Sequence, residues 1–157
     1  DVSDGQLRIT LLRSPTMPDP EADQGRHGFT YALLPHQGTL GVSTIAQGYF
    51  LNYPVLVHQG RGEARRPRSL VRAEPDNLVI ETVKPAQNEQ GITVRHYEAL
   101  RHRGEGKLVF DNRVKQAQKT DLLEENAIEV KISGREVQLD FKPFQIQTHR
   151  ITSSSHS

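Results

Sequence analysis

The sequence predicts an all-β protein, an antiparallel β-sandwich with very little helix. Apolar and polar residues alternate through most of the second half of the chain, as they do in strands with one buried and one exposed face. The alternating runs are short, and Gly, Asn and Pro residues typical of turns separate them. By the apolar i, i+3, i+4, i+7 criterion we predict no helix of eleven residues, and only residues 121–127 suggest a single helical turn.

Three strands are predicted in the first half of the chain, at residues 7–11, 29–34 and 42–51, the last weakened by Gly48. Three strands are too few to close a core of their own. Such a set leaves one face uncovered unless it docks on the second half of the chain or on strands that this chain lacks. We favour strands from outside this chain.

The second half is predicted to form a compact sandwich. Its first four strands are expected at residues 78–83, 92–100, 106–110 and 114–123, with hairpin loops at 85–91 and 101–106.

A hairpin follows these strands, with Ser133 and Gly134 as its two-residue loop. This loop would pair Val130 with Val137, and it would place Ile128 opposite Leu139. After Pro143 the alternation resumes at residue 144 and continues to about residue 150, as in an edge or bent strand.

Composition excludes several classes of function. The 20 Lys and Arg residues nearly cancel the 19 Asp and Glu residues, so the net charge of +1 gives no case for nucleic acid or an anionic membrane as a partner. The chain has no Cys, hence no disulfide or thiolate metal site, and no apolar run approaches the roughly 18 residues that cross a bilayer. We therefore expect a cytoplasmic protein. A chain that begins at Asp1 suggests processing, or a piece of something longer.

The most unusual segment is the fifteen-residue stretch Ser14–Gly28, here called the proline loop, which lies between two predicted strands. Loops of this length are usually functional. Its three prolines favour an extended, stiff backbone, so its charged residues would share one neighbourhood. These are Asp19, Glu21, Asp23, Arg26 and His27. Such groups can bind sugar hydroxyls or phosphates, but a solvated, salt-bridged crossover remains the alternative.

Metal and catalytic motifs are not found. Asp19, Glu21 and Asp23 alternate like the first ligands of an EF-hand, but Gln24 and Thr30 stand where that motif needs Gly and Glu. The seven histidines lack zinc-site spacing and are interpreted as surface or strand residues. We identify no phosphate-binding loop, nucleophile elbow or catalytic carboxylate pair, so we expect no catalysis by this chain alone.

The Arg-rich segment 59–72 is interpreted as a solvated linker, because it has no interleaved aromatic residues for stacking on bases. Aromatic residues make up only 6% of the chain, and none is Trp, which argues against a glycan-binding platform.

A resemblance to a known family rests on motifs spread from Leu7 to Ile151. They are Leu11–His27, Phe29–Leu33, Pro35–His36, Leu51–Asn52, Val79–Lys84, Val94–Ala99, Asp121–Glu124 and Phe141–Ile146. With these segments the chain resembles the C-terminal β region of glycoside hydrolase family 38 α-mannosidases, of the cytosolic and bacterial branch.

The resemblance implies a division of the chain. Residues 1–58 would be terminal strands and the long loop of a large sandwich, 59–76 a linker, 77–151 a small Ig-like sandwich, and 152–157 a disordered tail. A zinc-dependent catalytic barrel and a helical middle domain would be its partners in the complete enzyme. The nucleophile and the zinc ligands of the family belong to that barrel, so this chain inherits neither role and is expected to need no cofactor.

The resemblance also implies a role for the proline loop, because a loop of the C-terminal sandwich reaches toward the sugar-binding cleft in such enzymes. The matching residues are Asp23, Gly25, Arg26 and His27, and the mannoside would be their ligand. The family usually has Glu where this chain has Gly28, so the loop loses a carboxylate. The alternatives are a free-standing carbohydrate-binding module and a structural interaction domain that can form homo-oligomers.

Overall fold

The computed structural model describes residues 1–53, 55–60 and 68–154. The chain forms two compact units, Asp1–Gln37 and Gly38–Ser157. The elements of the described residues are, in chain order, β1 Val2–Ser3, β2 Gln6–Leu7, α1 Val42–Asn52, β3 Val71–Glu74, β4 Leu78–Pro85, β5 Ile92–Glu98, β6 Gly104–Phe110, β7 Val114–Thr120, β8 Ile128–Glu129, β9 Ile132–Ser133, β10 Glu136–Phe141 and β11 Ile146–Ser153.

The first unit contains one small hairpin, formed by β1 and β2. Its turn residues Asp4 and Gly5 both have positive φ, as a type I′ turn requires. Residues 8–37 contain no strand, so the strands predicted at 7–11 and 29–34 are wrong for this structure. A sheet needs neighbouring strands to pair its backbone groups, and apart from Leu7, which pairs with Val2, these two segments find none in the described chain.

Helix α1 replaces the strand predicted at 42–51, which is a second correction. The helix begins after Gly41, whose backbone is extended. Its apolar residues are spaced i, i+3, i+4, i+7 and i+8, which is a helical stripe that our sequence criterion overlooked. They are Val42, Ile45, Ala46, Tyr49 and Phe50. None of the helix residues is fully buried.

The second unit contains a β-sandwich built entirely from antiparallel strand pairs. One sheet has four strands in the order β3-β6-β10-β9, and the other has five in the order β4-β5-β11-β7-β8. The predicted all-β sandwich with little helix is confirmed. The four strands predicted from residue 78 to residue 123 correspond to β4 to β7, with ends that differ by two or three residues.

The core lies between the two sheets, and both contribute to it. Its buried apolar residues are Leu78, Val94, Leu108, Phe110, Val114, Ala117, Val137, Leu139, Phe141 and Ile151. Alternation places these side chains inward, so the hydrophobic effect holds the sheets together and fixes their register.

Two boundaries differ from the prediction. Strand β3 pairs with β6, although its residues were assigned to the linker, and β11 includes the first two residues of the expected tail. Residues 61–67 of the predicted linker and residues 155–157 of the predicted tail lie outside the described residues.

The hairpin near residue 134 exists, but its register differs from the predicted one. Val137 pairs with Ile132 rather than with Val130. The loop residues are Gly134 and Arg135, and Gly134 has a φ of 60°, which suits glycine at the first central position of a type II′ turn. The loop therefore lies one residue later in the chain than predicted, because Gly134 occupies the first central position of the turn instead of the second. Residues 128 and 129 pair instead with β7 in the other sheet.

Gly91 ends the loop between β4 and β5 and is expected to be intolerant of any side chain. Its φ is 87°, and an added Cβ would lie 2.1 Å from the carbonyl oxygen of Ile151. We expect Gly91→Ala to lower the free energy of unfolding by about 2 kcal/mol or more, because backbone strain and a clash with the main chain add together. Denaturant titration at neutral pH measures this change.

Gly134→Ala is the matched control, because Gly134 also has positive φ but open space around the position of a Cβ. It should cost only about 1 to 2 kcal/mol of left-handed strain. Equal losses in the two variants would show that the contact with Ile151 does not matter.

Candidate functional site

The proline loop is organised around one turn, from residue 20 to residue 23. The carboxylate of Asp19 accepts a hydrogen bond from the backbone N–H of Glu21, with 2.9 Å between the oxygen and the nitrogen. The backbone carbonyl of Asp19 also accepts from the N–H of Ala22 at 3.3 Å. Asp19 therefore closes the turn, as Asp residues commonly do. Its Oδ1 is engaged in the turn rather than free to bind a ligand.

Asp23 joins the two ends of the loop. Its Oδ2 accepts a hydrogen bond from the backbone N–H of Ser14 at 3.2 Å, and its backbone carbonyl lies 2.9 Å from Nε2 of His27. Its φ of 59° is in the left-handed region that Asp tolerates better than most residues. Two residues later, Gly25 has a φ of 122°, a conformation that a side chain would strain. Asp23 and Gly25 thus shape the loop.

His27 and Arg26 are the members of the predicted set that can meet a ligand. Since Nε2 of His27 faces a carbonyl oxygen, this nitrogen donates the hydrogen bond, and Nδ1 remains able to accept one in the neutral ring. The imidazole also stacks on Phe29, with ring centroids 6.1 Å apart. Arg26 is exposed and forms no ion pair with any described residue.

Gly28, where the resembled family usually has Glu, lies in open space. A Cβ added there would meet no atom within 4 Å. A Cβ at this position would therefore cause no clash. The structure brings Asp23, Gly25, Arg26 and His27 together on one short, exposed segment.

A group of three or more His, Cys, Asp or Glu residues that could hold a metal ion is absent from the described part of the chain.

Buried polar residues in the sandwich escaped the sequence analysis. Glu98 is fully buried, and its carboxylate accepts hydrogen bonds from Nδ2 of Asn77 and the backbone N–H of Leu100, both at 2.8 Å, and from the N–H of Phe144 at 3.0 Å. Burial alone would raise the pKa of Glu98, but these bonds and one from the backbone of His102 lower it to about 2. The charged carboxylate therefore ties two loops to the end of β5.

Glu124 does the same at another loop. It accepts hydrogen bonds from the backbone N–H of Gln87 at 2.7 Å and from the hydroxyl of Thr93 at 2.9 Å, and it pairs with the ammonium of Lys84. Burial would raise the pKa of Glu124, whereas these partners lower it to about 2. This carboxylate connects the β4–β5 hairpin to the turn that follows β7.

His96 and His149 are strand histidines, which the interpretation as surface or strand residues allowed, and both are buried within the sandwich. Their rings stack with centroids 5.2 Å apart, and Nε2 of His96 lies 3.3 Å from Nδ1 of His149. Burial, helped by the charge of Lys119, lowers the pKa of His96 to about 4. Burial, the neighbouring ring and Lys119 lower that of His149 to about 3, so both imidazoles are neutral near pH 7.

Comparison with known proteins identifies the family. Residues 77–149, which contain all four of these buried polar residues, match the model of the glycosyl hydrolases family 38 C-terminal beta sandwich domain. The sandwich is a C-terminal domain of glycosyl hydrolase family 38.

Alignments with curated relatives extend the similarity beyond this family 38 sandwich. The chain is 34% identical over 149 residues to alpha-mannosidase 2C1 of Mus musculus and 35% identical over 147 residues to alpha-mannosidase 2C1 of Homo sapiens. These alignments cover 90% and 89% of the chain, but only 14% of each relative. The chain thus spans about one seventh of the length of these relatives.

Alpha-mannosidase G of Dictyostelium discoideum is 28% identical over 160 aligned positions that cover 96% of the chain and 14% of that relative. Because this alignment covers nearly the whole chain, it includes the proline loop, which lies outside the residues matched by the family 38 model. In the described part of the chain, no helix is long and apolar enough to span a membrane.

Proposed function

We propose that the chain is a non-catalytic, C-terminal β-sandwich portion of an α-mannosidase, a zinc-dependent enzyme that hydrolyses terminal α-mannosides in the cytoplasm. The observation behind the proposal is the similarity of about nine-tenths of the chain to proteins named alpha-mannosidase, of which it spans only 14%. Zinc and the nucleophile belong to the catalytic domain in this proposal, and the sandwich supports that domain and the middle domain.

Exposed apolar side chains support a role in contacts with other parts of an enzyme. Val55, Leu56 and Val57 are each more than 80% exposed, and in the first unit Leu33 is 77% exposed. Contiguous exposed apolar residues commonly mark interaction sites. They also favour the second candidate function, a structural interaction domain that self-associates, which light scattering of the isolated chain would reveal as an oligomer.

The proline loop is proposed to contribute to the substrate cleft through Arg26 and His27. Asp23 and Gly25 hold the backbone, while the guanidinium and Nδ1 of the imidazole stay available. Arg donates to sugar hydroxyls, and a neutral imidazole can accept from one, so the pair can contact two groups of a mannoside.

In the complete enzyme, Arg26→Ala or His27→Ala should lower kcat/KM for a mannoside about tenfold, because one charge-assisted or neutral hydrogen bond to the sugar is lost. Steady-state kinetics measures this loss, and an unchanged melting temperature excludes unfolding as its cause. Arg13→Ala and His36→Ala, at exposed residues of the same unit, should leave kcat/KM unchanged. Wild-type kinetics in both loop variants would restrict the segment to scaffolding.

The size of the native polypeptide tests the wider proposal. An antibody raised against this chain should detect a band several times heavier in extracts of the source cells, and the 157-residue chain alone should not hydrolyse an α-mannoside. A band at the mass of the chain itself would contradict the proposal. It would make a free-standing carbohydrate-binding module the leading hypothesis, which calorimetry with mannose and mannobiose would then examine.

A further inference from the structure

A groove of about 230 Å³ lies against the five-stranded sheet, and its lining in the described part of the chain is entirely polar. None of these lining residues belongs to the proline loop or to the apolar core. We call it the amide groove, because four of its six lining residues carry a side-chain amide. The lining residues are Asn88, Gln90, Gln116, Gln118, Arg150 and Thr152.

Two cross-strand pairs form the floor of the amide groove, and both face outward. Arg150 of β11 is directly opposite Gln118 of β7, and Thr152 is opposite Gln116. The core residue Ile151 lies between Arg150 and Thr152 in the chain. Because side chains alternate along a strand, the floor residues point away from the core. The other two lining residues belong to the loop between β4 and β5, and since β5 pairs with β11, this loop borders the floor on the side of β11.

Hydrogen bonds hold the floor side chains in place. Nε and Nη2 of Arg150 both donate to Oε1 of Gln118, at 3.2 and 2.6 Å. Nε2 of Gln118 donates to Oε1 of Glu129 at 2.7 Å, and Nε2 of Gln116 donates to the same oxygen at 2.7 Å. Glu129 belongs to β8 and is directly opposite Gln118 in the sheet. The floor is therefore ordered before a ligand arrives, which lowers the entropy that binding costs.

Donors and acceptors remain free side by side on this floor. Both glutamines have a second N–H on the side-chain amide. Nη1 of Arg150 and Oε1 of Gln116 form no hydrogen bond with a described residue. A ligand on the floor can therefore both accept and donate hydrogen bonds.

The charges around the groove offset each other. Among the described lining residues Arg150 alone is charged, and the amide of Gln118 connects its guanidinium to the carboxylate of Glu129. The groove thus has no large excess of charge. Such a surface matches hydroxyl groups, each of which both donates and accepts, better than it matches an anion, which only accepts.

We propose that the amide groove binds one sugar ring of a glycan through hydrogen bonds. Hydroxyls of the ring accept from Nη1 of Arg150 and from the free N–H of Gln118, and one hydroxyl donates to Oε1 of Gln116. The groove is smaller than the range of about 300 to 1,000 Å³ typical of drug-sized ligands, which suits one ring rather than several. Since the lining has no aromatic side chain on which a ring could stack, we expect a dissociation constant in the millimolar range. The proposal does not depend on the α-mannosidase function.

The test is an NMR titration of the 157-residue chain, with its side-chain amides isotopically labelled, against mannose, glucose, galactose and N-acetylglucosamine at tens of millimolar. At least one sugar should saturate and shift the side-chain amide resonances of Gln116 and Gln118. Glycerol, which has hydroxyls but no ring, and sulfate, an anion that Arg150 could attract, should bind at least about tenfold more weakly, a factor equal to the loss of one good hydrogen bond.

Variants assign the binding to this groove. Gln116→Ala and Arg150→Met should each weaken binding about tenfold, while the backbone amide spectrum shows that the fold is retained. The matched controls are Gln138→Ala, in the other sheet, and Arg113→Met, at an exposed residue before β7, and both should bind like the wild type. Absence of saturable binding by all four sugars, equal binding of glycerol or sulfate, or full binding in both groove variants would overturn the proposal.

Discussion

Replacing Glu98 by alanine should lower the free energy of unfolding by about 3 kcal/mol or more, because it leaves several buried donors without an acceptor and each costs about 1 to 3 kcal/mol. The donors are the side-chain amide of Asn77 and the backbone N–H groups of Leu100 and Phe144. Urea titration of the chain at pH 7 measures the change. The loops that these groups belong to should also lose protection against amide hydrogen exchange.

Glu98→Gln tests whether the charge matters as well as the shape. The amide keeps one oxygen acceptor but places an NH₂ group among donors, so this variant should still be clearly less stable than the wild type. Glu125→Gln, at an exposed glutamate, should change stability by less than about 0.5 kcal/mol. Wild-type stability of Glu98→Gln would mean that a charged carboxylate is not needed at this position.

The low pKa of Glu98 gives the same prediction a pH signature. Because its folded pKa is about 2 and the ordinary value is 4.5, its contribution is complete above that ordinary value and is lost as the pH falls toward 2. In Glu98→Gln this part of the acid sensitivity should disappear.

The second half of the fold could be predicted from sequence because its signals are local and consistent. Val137, Leu139 and Phe141 alternate with polar residues, and all three are in the core. Gly91 and Gly134 mark the turns between paired strands. The register of one hairpin was wrong since Gly134 can occupy either of two central positions, and pattern alone does not distinguish them.

The first half could not be predicted in the same way. The segment at 29–34 has a composition suited to a strand, but a strand also needs a partner, which single-sequence patterns do not reveal. Between residues 42 and 52, several β-branched residues favoured a strand, although Gly48 weakened that prediction, yet the spacing of Ile45, Ala46 and Tyr49 is helical. Because this segment had no sheet to join, its helical spacing determined the structure and it formed α1.

The site residues divide along similar lines. Length and prolines drew attention to the proline loop, but the left-handed backbone of Asp23 and its bond to Ser14 depend on three-dimensional closure. The sequence analysis allowed His96 to be a strand residue but did not predict that His96 and Glu98 are buried, because polar residues are usually exposed. Both residues share the even-numbered positions of Ile92 and Val94 in β5. Because side chains alternate along a strand, this pattern predicts that all four lie on the same, inner face.

The histidine pair should make the sandwich sensitive to mild acid. An unfolded chain protonates both imidazoles near pH 6.5, whereas the folded pKa values are about 4 for His96 and about 3 for His149. Between these limits the unfolded state binds more protons, so stability decreases as the pH falls, by up to about 1.4 kcal/mol per pH unit for each histidine. Above pH 6.5 neither ring contributes to the slope.

Carboxylates do not obscure this effect in the upper part of the range. The pKa values of Glu98 and Glu124 are about 2, so their stabilising contributions are lost only below about pH 4.5, the ordinary value of a glutamate. The change in the free energy of unfolding between pH 6.5 and pH 4.5 therefore depends mainly on the protonation of histidines. Urea titrations at several pH values across that interval give the slope directly.

His96→Phe should reduce this slope, since phenylalanine keeps a ring of similar size in the core and does not titrate. The slope should fall by up to about 1.4 kcal/mol per pH unit, the contribution of one proton, even if the variant is less stable at pH 7 because Nδ1 of His149 loses its hydrogen-bond partner. His102→Gln, at an exposed histidine, should retain the wild-type slope. An unchanged slope in His96→Phe would show that its imidazole is protonated in the folded protein, in conflict with its burial between the sheets.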